Sequence, residues 1–367
     1  MRRGELKADE RVAIELRALY QAYGYSPYKV GRFEEYDLYM RNRSFLPSER
    51  ILTFTDTDGK LMALKPDVTL SIVKNTREED GPLKVSYAEH IYRAPDGGGG
   101  FREIMQTGIE SLGEVDAYAM GEVLMLAARS LEAISAHYAL DISDMGVVSG
   151  VLAGEDVSDA QRAELLAAIS AKNPHDLQKA CARMGVSREG ERLLCALVGA
   201  YGPLSDVLPR VERLGLPPAC GEALRDLKSV ASLMRAYGLE EKINLDFSVV
   251  NDMRYYNGLI MNGFVDGVPS SVLFGGRYDP LLRRLGRSGQ GIGFAVCLDQ
   301  IERLAGRRAG YDVDVLITCD GDTDPLLLAK TAEGLVKGGQ SVRVQRGESG
   351  APLYRRRIHL EGEGART

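Results

Sequence analysis

Tryptophan is absent from the 367 residues, and histidine and cysteine are scarce, at four and five. The cysteines (Cys181, Cys195, Cys220, Cys297 and Cys319) are scattered, odd in number and never spaced as CxxC. That argues against a disulfide framework or structural zinc site, and for thiols kept reduced in a cytosol. His90, His137, His175 and His359 show no metal-ligand spacing, so no metal is expected. No stretch approaches the roughly 20 apolar residues that span a bilayer. The start, Met1-Arg2-Arg3-Gly4-Glu5-Leu6-Lys7, is charged and lacks an apolar h-region, so a cytoplasmic location without a secretory leader is expected. There is no GxGxxG opening a helix after a strand and no GxxxxGK[ST], and no cofactor is expected. Lys and Arg number 46 against 52 Asp and Glu, a net charge of −6. Phosphate neutralisation needs clustered basic residues, so a general nucleic-acid binder is not indicated.

What is present suits a globular chain. Hydrophobic residues make up 44% and charged residues 27%, enough for a full core. At roughly 100–200 residues per domain, the length suggests two or three domains. The near-helical spacing of Val12, Ile14, Leu16, Leu19, Tyr20 and Tyr23 predicts a first helix, stopped by Gly24-Tyr25-Ser26-Pro27. Ile51–Asp56 and Leu61–Leu64 read as a hairpin with Asp58-Gly59 at its tip. Lys65-Pro66-Asp67-Val68-Thr69 signals a helix start. Strands are expected over 83–92 and 101–112, a long helix over 116–138 and a short strand over 145–148. Residues 150–240, rich in Ala, Leu, Glu and Arg, read as several short helices. Strands return at 243–247, 258–264, 271–274 and 291–296, with helices at 279–285 and 298–304. A strand at 312–318, a helix at 324–337 and a strand at 341–344 begin a βαβ unit that stops early.

Three segments gather polar side chains and glycines: 65–69, 92–110, and the pair 251–258 with 274–279. Positions four apart on a strand share a face, so Arg102, Gln106 and Glu110 form a polar row with Gly108 leaving room among them. Such a row suits a polar ligand, and it equally suits a solvated sheet face. Gly275-Gly276 before Arg277-Tyr278-Asp279 allows close backbone approach to a ligand, or simply a tight strand-to-helix turn.

The motifs in order, over roughly residues 10–305, resemble a histidyl-tRNA synthetase catalytic core. Residues 51–56 through 65–69 are similar to the family's "YTFTD…LRPEGT", and Phe101–Gly113 to motif 2 of the class II synthetases. Tyr255-Tyr256-Asn257-Gly258 resembles "RGLDYYTG", Phe274–Asp279 resembles "GGRYDGL", and Gly291–Ala295 resembles the opening of motif 3. The resemblance implies an α+β fold: a class II synthetase-like antiparallel sheet flanked by helices. Its core would be 1–149 with 241–305, its helical insertion 150–240, and 306–367 a truncated α/β piece like an anticodon-binding domain. It also implies that Asp67, Thr69, Gln106 and Glu110 contact histidine, with Tyr256 and Tyr278 as pocket tyrosines. Arg102 and Tyr255 complete the candidate set.

Where the synthetase has arginines, this chain has Gly100, Asn251 and Gln300. Adenylation builds negative charge on the α-phosphate, and preorganised guanidinium groups stabilise it. Neutral side chains cannot make those charged bidentate contacts. One lost donor costs about 3–4 kcal/mol by analogy with an oxyanion hole, so three losses imply negligible adenylation. A synthetase-like shell with a histidine pocket and no ATP machinery is similar to a paralogous family, the regulatory subunits of ATP phosphoribosyltransferase. That resemblance implies a chain without catalysis of its own. It would activate the short-form catalytic subunit in the first step of histidine biosynthesis and take part in feedback inhibition by histidine. It would be a homodimer within a larger hetero-oligomer, with no membrane or nucleic-acid partner. Two other readings stay open. One is a divergent histidyl-tRNA synthetase, with Arg254, Arg277 or Arg283 supplying the missing charge; the other is a tRNA-binding paralogue with a basic face.

Overall fold

The computed structural model describes residues 8–41, 51–77, 81–94, 100–250, 255–301, 311–347, 350 and 352–362. The chain divides into two compact units, Met1–Leu304 and Ala305–Thr367.

The first unit is organised by a nine-stranded sheet. From one edge to the other it runs β1 (Ser26–Pro27), β5 (Leu83–Arg93), β6 (Arg102–Gly113), β12 (Gln290–Cys297), β11 (Leu273–Arg277), β10 (Leu259–Val265), β7 (Tyr138–Asp144), β9 (Ile243–Asp246) and β8 (Tyr201–Pro203). The strands from β5 to β7 pair antiparallel. The edges depart from the purely antiparallel expectation: β1 joins β5, and β9 joins β7, in parallel.

Strand alternation gives each face its own core. Ile109 and Phe294, a registered pair, face α1 (Ala8–Ala22) and α4 (Ala117–Ile134) in the larger core. Helix α1 presents Val12, Leu16 and Tyr20 at four-residue spacing, the stripe a core-facing helix needs. Tyr20 packs edge-on against Phe294, with ring centroids 5.9 Å apart, and its hydroxyl lies 3.0 Å from Ser130 Oγ. The opposite face carries Tyr87, Gln106, Gly108 and Glu110. It is covered by a small sheet, β2 (Phe33–Glu35), β4 (Leu61–Leu64) and β3 (Thr53–Thr55), with α2 (Tyr36–Arg41), α3 (Val68–Asn75) and α11 (Asp279–Arg284). The β3–β4 hairpin turns where Asp58-Gly59 predicted, with Gly59 at φ +81°.

Helices α5 (Met145–Leu152), α6 (Asp159–Ser170), α7 (Pro174–Met184), α8 (Arg188–Val198), α9 (Leu204–Glu212) and α10 (Gly221–Ala236) follow β7. Here the structure corrects the reading of 145–148 as a strand. The strand is Tyr138–Asp144, which begins at the last residue of the helix expected over 116–138, and Met145 opens a helix. The reason is local. Asp144 caps α5 by accepting from Gly146 N at 2.7 Å, and Gly150 lets α5 close on Cys220, whose Sγ would sit 2.6 Å from a Cβ there. Gly275 and Gly276 also lie within β11 rather than in a turn, and only a 3₁₀ turn at Leu298–Gln300 is seen where a closing helix was expected over 298–304, part of which falls outside the described residues.

The second unit holds β13 (Val313–Cys319), α12 (Pro325–Lys337), β14 (Val342–Arg346) and β15 (Tyr354–Leu360). All three strands run parallel in the order β14-β13-β15, so the βαβ unit carries one strand more than its sequence announced. Among the described residues, no helix is long and apolar enough to cross a membrane.

Candidate ligand-binding site

A cleft of about 350 Å³, counting its open mouth, lies on the small-sheet side of β6, β11 and β12. Asp67, Thr69, Gln106, Glu110, Tyr255, Tyr256 and Tyr278 all line it. Seven of the eight candidates thus meet in one place, although they come from four separated stretches of chain. Arg102 does not. It sits exposed at the start of β6, in register with Arg93, two strand repeats before Gln106 on the same face. Four residues of strand are about 13 Å, which puts the first member of the row outside the cavity.

The deep end is built around Glu110, whose relative exposure is 1%. Its Oε1 accepts from Thr69 Oγ1 at 2.6 Å and its Oε2 from Tyr278 OH at 2.5 Å. Glycine makes this possible. Gly293 is registered opposite Glu110, and a Cβ at Gly293 would lie 2.0 Å from Glu110 Oε2. A Cβ at Gly108 would lie 2.7 Å from Tyr87 OH, so the same bare floor admits the Tyr87 ring. Burial pushes the Glu110 carboxyl up to about 8; the bonds from Thr69 and Tyr278 pull the other way, and the Asp67 charge adds to the rise. Tyr255 stacks obliquely on Tyr256 at 4.5 Å between centroids and reaches Tyr278 at 6.3 Å. Burial, followed by nearby carboxylate charge, raises the hydroxyls of Tyr87, Tyr255, Tyr256 and Tyr278, so they stay neutral at physiological pH.

The mouth is arranged differently. Asp67 caps α3, accepting from Leu70 N at 2.7 Å through Oδ1. Its Oδ2 takes Arg93 at 3.2 Å, and Arg93 Nε also donates to Pro66 O at 2.5 Å. Where the synthetase motif has Glu, the shorter Asp is a preferred N-cap, which accounts for its turn back onto its own helix. Lys65, fully buried, pairs with Glu89 at 2.9 Å. Gln106 donates to Cys297 Sγ at 3.6 Å.

Two groups fix the tyrosines. Asp279 accepts from Asn257 Nδ2 at 3.0 Å, Arg277 Nε at 2.8 Å and Gly291 N at 3.1 Å. Asn257 follows Tyr256 and Asp279 follows Tyr278, so this cluster holds both rings in place. Sequence reasoning missed Tyr87, Arg93 and Gly293 as site residues. The partnering of Tyr87 with Gly108, and of Glu110 with Gly293, exists only once strand register is known. Of the positions read as lost arginines, Gln300 is bonded to Ser270 Oγ at 3.0 Å, Gly100 is exposed, and Asn251 lies outside the described residues.

Chemically, the cleft offers one buried carboxylate, neutral hydroxyls and an aromatic wall. Among the described residues that line it there is no lysine or arginine. That suits a small ligand with a cationic or hydrogen-donating ring.

Comparison with known proteins places the chain. The histidyl-tRNA synthetase family model matches residues 2–301. The chain is 27% identical over 292 residues to the ATP phosphoribosyltransferase regulatory subunit of Acetivibrio thermocellus, covering 78% of this chain and 70% of that one. It is 28% identical over 345 residues to the regulatory subunit of Symbiobacterium thermophilum, covering 91% and 86%. Among solved structures, an ATP phosphoribosyltransferase regulatory subunit/histidyl-tRNA synthetase from Bacillus halodurans aligns with a TM-score of 0.81 at 22% identity, over 97% of this chain and 94% of that one. The ATP phosphoribosyltransferase (HisG:HisZ) complex from Thermotoga maritima contains a chain aligning with a TM-score of 0.63 at 19% identity, over 79% and 97%. These last two likenesses concern the fold, which is that of the class II synthetases. With a family model covering most of its length, this chain belongs to the histidyl-tRNA synthetase family.

Proposed function

We propose that this chain is a regulatory subunit of ATP phosphoribosyltransferase, acting with a short catalytic subunit in the first step of histidine biosynthesis, in the cytoplasm. In this reading the cleft binds free histidine and reports it to the catalytic partner, as feedback inhibition requires. The chain forms a homodimer within a larger hetero-oligomer and catalyses no adenylation of its own. The observation that carries the reading is the contrast within the cleft. Glu110, Thr69 and Tyr278 form a complete, buried acceptor for an imidazole, while none of the described residues lining the cavity is a cation that could meet a triphosphate. Arg93, which pairs with Asp67, is already engaged by that carboxylate and by Pro66 O. The regulatory-subunit names of the relatives support the same reading.

Histidine would exert control through different affinity for two states of the complex, since a ligand shifts an equilibrium only by that difference. The test is reconstitution with a short-form ATP phosphoribosyltransferase from the same source. Phosphoribosyl-ATP formation should rise when the chain is added and fall again with histidine. No activation, together with histidine-dependent ATP–pyrophosphate exchange by the chain alone, would replace this reading with that of a working synthetase.

A further inference from the structure

The two hydroxyls bonded to Glu110 stand at the beginnings of two helices. Thr69 is the second residue of α3, and Tyr278 immediately precedes α11. Leu70, Ile72 and Val73 of α3 share one core with Leu281 and Leu282 of α11, on the cleft side of the sheet. The helices have only eight and six residues, too few for either to be stable alone. Their placement therefore depends on packing and on what holds their ends.

The far ends of both helices meet at Arg287. Helix α11 closes through Gly286, at φ +77°, whose N–H bonds Arg283 O at 3.0 Å, and through Arg287, whose N–H bonds Leu282 O at 2.9 Å. This pair of bonds around a left-handed glycine is a Schellman motif, and it fixes the Arg287 backbone against α11. The side chain reaches α3. Its Nη1 donates to Val73 O at 2.8 Å, to Thr76 Oγ1 at 2.7 Å and to Thr76 O at 3.3 Å. A helix C-terminus leaves its last carbonyls unpaired and carries partial negative charge, so a guanidinium there is favourable. Thr76 in turn donates to Ile72 O, from N at 3.1 Å and from Oγ1 at 2.9 Å. The two helices are thus joined at their near ends through Glu110 and at their far ends through Arg287. Neither Arg287 nor Thr76 lines the cleft, and seven helical steps, about 10 Å, separate Thr69 from Thr76.

We propose that Arg287 is a positioning residue that ties the end of α3 to the end of α11, so that Thr69 and Tyr278 reach the Glu110 carboxylate together. Its effect on ligand rests on the histidine reading given above. Sites this far apart normally act additively, so coupling between Arg287 and Thr69 is the mark of the tie. Calorimetry of the full-length protein with histidine should show roughly threefold to tenfold weaker binding for Arg287→Gln and for Thr69→Val, the range of one lost hydrogen bond. The double variant should bind no more weakly than the weaker single one. Thr76→Val loosens the same tie without altering any charge and should give a smaller loss. Arg287→Lys, whose ammonium can donate to the same oxygens, should stay near the parent.

The pH profile separates this from a merely structural role. The bond from Thr69 favours ionised Glu110, so the alkaline limb of binding should move to higher pH in Arg287→Gln and Thr76→Val. It should move no further where Thr69→Val is already present. Asp67, Tyr87, Tyr255, Tyr256 and Tyr278 are the titratable groups that share the cleft with Glu110, and these variants leave all of them in place. A simple helix cap would lower the thermal midpoint and leave the limb where it was. A charge felt at a distance would move the limb equally with and without Thr69. Either of those results, or additive affinity losses, would overturn the tie. If Arg287→Gln does not fold, Thr76→Val takes its place in the cycle. Absence of histidine heat from the parent would remove the histidine reading alone. Titration of the Glu110 carboxyl in the empty protein, by carbon NMR of labelled glutamate, would then decide the tie in the same cycle.

Discussion

The two ends of the cleft treat charge in opposite ways. At the deep end, Glu110 is buried and, among the described residues, is bonded by the hydroxyls of Thr69 and Tyr278 and by no cation. At the mouth, Asp67 has spent one oxygen on capping α3 and the other on Arg93. A carboxylate without a cation in a dry site is costly unless something neutralises it, by a proton or by a ligand. A carboxylate already paired gains little from a second cation. The deep end is thus the part that can discriminate a ligand, and the mouth is largely self-satisfied. A synthetase needs the reverse emphasis at its mouth, where a triphosphate would require unspent guanidinium groups.

The sharpest way to break this comparison is Glu110→Ala. It removes the one strong acceptor, and calorimetry should show histidine affinity reduced by about 100-fold or more, the range of a lost charge-assisted bond in a buried site. The thermal midpoint should not fall in proportion, because a buried carboxyl with no cationic partner goes with it. Normal binding by this variant would show that the deep end is not the ligand site.

Next in size is Gly293→Ala. Its Cβ would lie 2.0 Å from Glu110 Oε2 and 2.3 Å from Ile109 O, and the second of these is backbone that cannot swing aside. We expect about 1–3 kcal/mol of destabilisation from overpacking, read by urea denaturation, along with impaired histidine binding. The corresponding change at Gly286, which has open space around it but φ +77°, should cost only the strain of that backbone and leave binding intact.

The pH profile of binding sharpens the same point. Free imidazole titrates at about 6.5, and empty Glu110 at about 8. Between these values a neutral imidazole meets a protonated Glu110, and the proton passes from acid to base within the complex. No net proton is exchanged, and affinity should be flat. Above the window Glu110 is already ionised and the complex must take up a proton, so affinity should fall about tenfold per unit. Below it an imidazolium meets a protonated carboxyl and a proton must leave, so affinity falls toward acid too. Glu110→Gln should remove the alkaline limb, as followed by calorimetry in buffers of different ionisation heat. The raised carboxyl also makes the empty protein lose stability as pH rises from 4.5 toward about 8, because the folded state holds a proton that the unfolded chain has released.

Much of this was legible in the sequence because several signals are local. The Asp58-Gly59 turn, the helix start after Pro66, and the shared face of Gln106 and Glu110 need only turn chemistry and strand alternation. The class II resemblance then brought Asp67, Thr69 and the tyrosines to the same list, and the structure places them around one cleft. What was not legible depends on pairing between distant strands. Gly293 matters because register sets it opposite Glu110, and Tyr87 because register sets it opposite Gly108. The misread strand at 145–148 has the same origin: apolar Val147 and Val148 fit either period, and the Asp144 cap with the close approach of α5 to α10 decided for helix. Arg102 was overvalued because alternation fixes the face of a residue and says nothing of how far along the strand the pocket extends.

The smallest predicted effect tests the mouth. Asparagine is nearly as good an N-cap as aspartate, so Asp67→Asn should leave α3 and the thermal midpoint almost unchanged. What it removes is the charge that holds Arg93 at 3.2 Å. If Asp67 is self-satisfied, histidine affinity should change by no more than about threefold, since its two oxygens are already engaged by the α3 cap and by Arg93. The direction is informative as well. A modest gain would mean that a released Arg93 now reaches the ligand's carboxylate, and a modest loss would mean that Asp67 still touches its ammonium. A loss as large as that of Glu110→Ala would erase the difference between the two ends, and the cleft would then have to be understood as two equal carboxylate sites holding one zwitterion between them.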